Sequence, residues 1–150
     1  MKTLIIAIVL IAGVALGQAP TASLIQLIAN PEKFDGKTVV VEGVTNVEFE
    51  GNAIYLSKEH WKHSIPSFGI WLDLDPKLAK DRKWANGLYC VIKATFRAGD
   101  RGHMGLYMGS LTEVSMFQVR EAISPEKVSK RQKEAQQDSG GQPAIRPEAK

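Results

Sequence analysis

The chain has 150 residues, 44% of them hydrophobic and 23% charged, with a formal net charge of +3. These are globular proportions, and they exclude both wholesale disorder and a multi-span membrane protein. Charge placement also argues against a duplex-binding face: residues 30–76 carry Glu32, Asp35, Glu42, Glu48, Glu50, Glu59, Asp73 and Asp75 against Lys33, Lys37, Lys58 and Lys62, and a basic strip emerges only between Lys77 and His103.

Met1-Lys2-Thr3 is a basic start, and Leu4 to Leu16 is an apolar run broken only by Ala and Gly. At about 13 residues the run suits the core of a signal peptide and falls short of the roughly 20 needed to cross hydrocarbon. Ala15-Leu16-Gly17 supplies the small residues that a signal peptidase reads, so residues 1–17 are expected to be a signal peptide cleaved before Gln18, with an uncleaved anchor as the weaker alternative. No Cys follows the run, which argues against lipid attachment. The expectation is an exported protein, periplasmic or secreted, with no stable membrane span after cleavage.

A barrel domain is expected over residues 18–120. Ser23 can cap a short helix whose Leu24, Leu27 and Ile28 fall at helical spacing, and Pro31 ends it by disfavouring helical geometry at Asn30. Asp35-Gly36 makes a turn, and Thr38 to Thr45 reads as a strand in which Gly43 marks a bulge or corner. Glu50-Gly51-Asn52 signals a hairpin into a second strand, Ala53 to Leu56. An insert, Ser57 to Phe68, holds a helical turn at Lys58 to His63. It leads to a third strand, Gly69 to Leu74, with Ile70, Leu72 and Leu74 inward and Trp71 and Asp73 outward.

Asp75-Pro76 then starts a short helix through Leu78 to Trp84, closed by Asn86-Gly87. Leu88 to Arg97 alternates cleanly as a fourth strand, a glycine-rich loop runs from Ala98 to Gly105, and Leu106 to Val119 reads as a long fifth strand kinked at Gly109. From Glu121 to Lys150 the chain lacks aromatic residues and cannot bury enough apolar surface to offset its ordering, so a polar, disordered tail is expected. Within it Ser124-Pro125-Glu126 can start a frayed helix to about Gln137 that carries a basic stripe of Lys127, Lys130, Arg131 and Lys133.

The fold class is therefore mainly β: a five-stranded OB-like barrel with a short N-terminal helix and a helix between strands three and four, since three strands, a helix and two strands is the chain order of the OB fold. Three segments carry a resemblance: Ser23 to Lys37, Val47-Glu48-Phe49-Glu50-Gly51-Asn52, and Gly102-His103-Met104-Gly105-Leu106. In these the chain resembles small exported bacterial OB-fold proteins of the tRNA-anticodon-binding-like group. The resemblance spans Ser23 to about Val119 and implies a binding barrel with no catalytic residues.

Cys90 stands alone inside Leu88-Tyr89-Cys90-Val91-Ile92, so it can form no internal disulfide and reads as a buried apolar residue. His60 and His63 with Glu59 place ligand types three residues apart, but a zinc site needs a third donor and only His103 is left, so no metal or other cofactor is expected. No nucleophile elbow, phosphate-cradling loop or paired-carboxylate frame is present, and the chain is not expected to be an enzyme.

The candidate ligand-binding residues are Phe49, Tyr55 and Trp71, as outward stacking surfaces, with Arg97, Arg101 and His103 as cation and titratable ring; the alternative is that the insert containing Trp61 and Phe68 covers these aromatics. Asp73, Glu48 and Glu50 among them would repel phosphate, so an oligosaccharide or a peptide fits at least as well as single-stranded nucleic acid. The expectation is a non-enzymatic binding module of the cell envelope, the alternative a structural protein that docks a partner through its barrel edge or its tail.

Overall fold

The computed structural model describes residues 19–138. The expected signal peptide, residues 1–17, lies outside them, as do residues 139–150 of the tail. Five strands, β1 (Thr38–Asn46), β2 (Ala53–Tyr55), β3 (Gly69–Leu72), β4 (Tyr89–Arg97) and β5 (Ser110–Val119), form a closed barrel in the order β1-β2-β3-β5-β4. Every pairing is antiparallel except β3 with β5, which run parallel through Trp71↔Ser110 and Leu72↔Leu111. Helix α1 (Leu24–Ala29) precedes the barrel, α2 (Lys58–Lys62) lies between β2 and β3, α3 (Pro76–Arg82) between β3 and β4, and α4 (Pro125–Asp138) follows β5. This is the OB-like mainly-β barrel that the chain order predicts, with its helix between the third and fourth strands.

Helix α1 is too short to stand on intrinsic propensity, and local chemistry fixes both of its ends. Ser23 and Gln26 form a reciprocal capping box, and the chain leaves the helix through Asn30 into a 3-10 turn at Pro31–Lys33. Leu24 and Leu27 are fully buried and close one end of the barrel. Just ahead, the chain lies along β1: Ala22 N donates to Val40 O at 2.9 Å and Val40 N to Pro20 O at 3.0 Å. Alternation sends Val39 and Val41 of β1, Ile70 and Leu72 of β3, Ile92, Ala94 and Phe96 of β4 and Leu111 of β5 into one apolar interior. Each Val, Leu, Ile or Phe among them contributes roughly 1.5–3 kcal/mol by leaving water, and Ala94 less.

Gly43 pairs with Cys90 in unbroken register, so the expected bulge is absent there. Glycine is required for closeness instead, because a Cβ at this position would sit 2.6 Å from the Tyr55 carbonyl oxygen and 2.7 Å from Leu24 Cδ1. The ladder irregularity falls between β4 and β5 at Lys93/Thr95, where Glu113 adopts φ 53° and its carboxylate accepts a 2.7 Å hydrogen bond from Thr95 Oγ1. Strand β3 ends at Leu72, though Leu74 still turns inward. The fifth strand starts at Ser110 and not at Leu106: Gly109 has φ 144° and lies under the Phe96 ring, and the residues before it belong to the loop.

Cys90 is buried beside Thr45 Oγ1 at 3.3 Å, and burial pushes its thiol pKa up. The tail begins as the helix that Ser124-Pro125-Glu126 predicts, but packed against the domain and not frayed. Helix α4 forms and docks, with Arg131 Nη1 donating to the Trp84 and Asn86 carbonyls at 3.3 and 3.0 Å and Lys83 Nζ meeting Asp138 Oδ2 at 2.7 Å. The unsatisfied carbonyls at the end of the α3 segment give Arg131 a partner that composition alone does not reveal. Among the described residues no helix is long and apolar enough to cross a membrane.

Candidate functional site

Two loops meet beside β3. The first, residues 47–52 between β1 and β2, is held open by amide side chains: Asn86 Oδ1 accepts from Val47 N, Asn86 Nδ2 donates to Glu48 Oε1 at 3.2 Å, Asn52 Oδ1 accepts from Glu48 N at 3.1 Å, and Asn46 Nδ2 donates to Gly51 O at 2.8 Å. Glu50 at its tip has φ 57°, an uncommon geometry for a residue other than glycine. Phe49 beside it is 88% exposed.

The second loop, residues 98–109 between β4 and β5, is tied by Asp100 and Arg101. Asp100 accepts from Ser110 Oγ at 2.7 Å with one oxygen and from Gly102 N at 3.1 Å with the other. Arg101 Nε donates to Tyr107 O at 3.1 Å, and Tyr107 N returns a bond to Arg101 O, so the loop is clipped at its neck. Gly102, at φ 63°, lies against the Trp71 ring, where any Cβ would overlap ring carbons. The following turn, His103–Gly105, carries Met104 at φ 55° and 79% exposed.

The loops touch through His103 Nε2 and Glu50 Oε2, 3.8 Å apart, an ion pair when the ring is protonated. The His103 ring also stacks on Trp71, with centroids 6.4 Å apart and planes 27° from parallel. Behind this stack the outer face of β2 and β3 is sealed. Tyr55 points outward, as alternation predicts, but it is only 3% exposed, packed with Ala53 and Tyr107 under Trp61 and Trp71. Its hydroxyl meets that of Tyr107 at 3.4 Å, and desolvation, with the Tyr107 bond adding to it, raises its pKa far above the ordinary tyrosine value. Tyr107 tilts against Trp71 at 5.4 Å. Trp61, from α2, donates through Nε1 to Asn46 Oδ1 at 3.0 Å and lies against Gly87, fixing the insert over the barrel wall.

Of the expected binding residues the structure brings Phe49, Trp71 and His103 to one rim. Tyr55 is corrected from an exposed stacking surface to a buried one, because Trp61 and Tyr107 cover it. Arg101 is engaged in the neck of its own loop. Arg97 is exposed at the end of β4, and its guanidinium lies by the Asp35-Gly36 turn, 3.8 Å from where a Cβ on Gly36 would be. Among the described residues no hydrogen bond, ion pair or ring contact joins it to Trp71 or His103. Met104 and Leu106 at the rim, and Tyr107 beneath it, are not singled out by the sequence, whereas Glu50 is, as a carboxylate among the candidate positions. Tyr107 was hidden because residues 106–109 read as strand.

His60 and His63 turn to separate partners. His60 Nδ1 meets Ser57 Oγ at 2.8 Å and its ring stacks on Phe68 at 4.3 Å, while His63 Nε2 meets Glu59 Oε1 at 2.9 Å. Among the described residues no group of three or more His, Cys, Asp and Glu side chains is placed to hold a metal ion.

No protein-family model and no curated protein sequence matches the chain. A solved structure assigned as an aspartyl-tRNA synthetase from Leishmania major Friedlin is similar at 11% identity and a TM-score of 0.43, over 78% of this chain and 24% of that one. The chain thus spans about a quarter of that protein's length.

Proposed function

We propose that this protein is a non-enzymatic binding module, exported to the periplasm or secreted, whose ligand seats on the rim between residues 47–52 and 98–109. The observation that carries the reading is the meeting of the two loops at His103 and Glu50 beside a half-buried Trp71, with Phe49 held out in water. In OB barrels these two loops are the ones that flank the ligand face. A large aromatic ring at such exposure gives up contact with the core, and its cost is offset when a partner covers it. Export is supported by the basic start and short apolar run at the chain's beginning.

The reading shifts the site from the barrel wall to its edge. A ligand laid over Tyr55 would first have to displace Trp61 and Tyr107. Nuclear magnetic resonance titrations of the full chain with chitotetraose, a deoxythymidine oligomer and short peptides test the placement. Shifts clustering on Phe49, Trp71 and His103 and lost in Trp71→Ala support it, while shifts elsewhere, or shifts that survive that substitution, rule the rim out.

A further inference from the structure

We propose that the rim takes an apolar, positively charged segment of a partner protein. This rests on the rim being the binding site and specifies what binds there. Of the five exposed large hydrophobic side chains among the described residues, three lie on the two loops, Phe49 on one and Met104 and Leu106, the latter 53% exposed, on the other; Ile25 of α1 and Phe68 ahead of β3 stand elsewhere. They offer an unbranched thioether, a branched aliphatic and an aromatic ring, a combination that adapts to peptide side chains of varied shape.

Around them stand the carboxylates Glu48 and Glu50, with Arg101 and His103 on the facing loop. Glu48 and Glu50 flank Phe49 in the chain, and Asp73 follows Trp71 on the same side of its strand. Glu48 receives only a neutral amide bond from Asn86, and Asp73 has no ion pair among the described residues. Of the cations nearby, His103 faces Glu50, while Arg101 keeps its charge but is turned into the neck of its own loop, where its guanidinium meets the neutral acceptors Tyr107 O and Met108 Sδ. A lysine or arginine of a bound segment would find carboxylates lacking a counter-charge, and its methylene stem or guanidinium could lie against Phe49.

Other ligand classes fit this surface less well. Single strands bind along rows of open rings with cations tracking the phosphates. Here the second ring of such a row, Tyr55, is sealed, and the carboxylates would repel phosphate. An oligosaccharide needs an open ring face, whereas Trp71 is covered by Gly102 and His103 on one part and by Tyr107 on another.

The test is selection of a random peptide display library on the immobilised full chain, followed by binding measurements with the enriched peptides, chitotetraose and a deoxythymidine oligomer. Enriched peptides are expected to pair Lys or Arg with Leu, Ile, Phe or Trp. Their binding should weaken about tenfold in Phe49→Ala and again in the Glu48→Gln/Glu50→Gln double variant, and should weaken with rising salt. Enrichment of neutral or acidic peptides, or no enrichment at all, overturns the inference, as does equal affinity in the charge-removed variant. If chitotetraose or the oligonucleotide binds and is lost in Phe49→Ala, the rim stands as a site and the peptide inference falls. If no probe responds to the rim substitutions, both fall.

Discussion

The outer wall over β2 and β3 and the rim beside it are built from the same kinds of residue and do opposite things. On the wall, Tyr55, Tyr107 and Trp61 cover one another and Ala53, with their polar atoms spent on each other and on Asn46. On the rim, Phe49 and Met104 stand in water on loops whose backbone is held by amide clamps and glycine contacts. Trp71 belongs to both, one part of its ring packed on Tyr107 and another under His103. An aromatic residue facing out of a barrel is therefore not yet a binding residue. What decides is whether a later stretch of chain comes back to cover it.

Substitutions should separate the two regions sharply. Tyr55→Ala removes a buried ring, and urea unfolding should show a loss of about 3 kcal/mol; a loss below about 1 kcal/mol would mean that the wall is not sealed as described. Gly102→Ala forces a side chain into left-handed geometry against the Trp71 ring and should cost about 1–2 kcal/mol while altering tryptophan fluorescence. Unchanged fluorescence would separate the glycine contact from the ring's position. Phe49→Ala should change stability by less than about 0.5 kcal/mol yet weaken rim binding about tenfold, and a larger stability loss would place Phe49 with the wall instead.

The smallest effect concerns acid. The hydrogen bond from Lys58 holds the Glu121 carboxyl below the ordinary carboxylate range, and the Lys83 hydrogen bond does the same for Asp138. Their charged forms favour the docked tail, so that contribution is whole above the ordinary range and is lost as pH falls through the depressed values. Hydrogen exchange in α4 should speed up under acid before the barrel amides do; simultaneous loosening would show that helix and barrel open together.

Much of the barrel could be read from the chain. Period-two alternation in Val39–Val41 and Leu88–Phe96, the Ser23 cap with Pro31 after it, and the glycine turns at Gly36 and Gly87 are local signals, and the structure follows them. The burial of Tyr55 was legible only in part: the insert containing Trp61 stood as an alternative cover, whereas Tyr107 reaches it from a segment that reads as strand. The docking of α4 was hidden for a similar reason: a tail poor in apolar residues is held by Arg131 capping carbonyls at Trp84 and Asn86. At the candidate site, residue type pointed to Phe49, Trp71 and His103, which the structure brings to one rim, while Arg97 runs to the Asp35-Gly36 turn, because nearness in sequence to the loop said nothing about which way its side chain runs.

The parallel contact between β3 and β5 is the narrowest join in the barrel, two residue pairs carried by Trp71 N to Gly109 O at 2.9 Å and Asp73 N to Leu111 O at 3.0 Å. With two pairs it has the fewest ladder partners of the five pairings, which makes it the stitch expected to slip first. Trp71 stands on that stitch. A ligand that grips its ring from outside would also fasten the cylinder, and occupancy should be legible as slower exchange of the Trp71 and Asp73 amides, which bond to the Gly109 and Leu111 carbonyls.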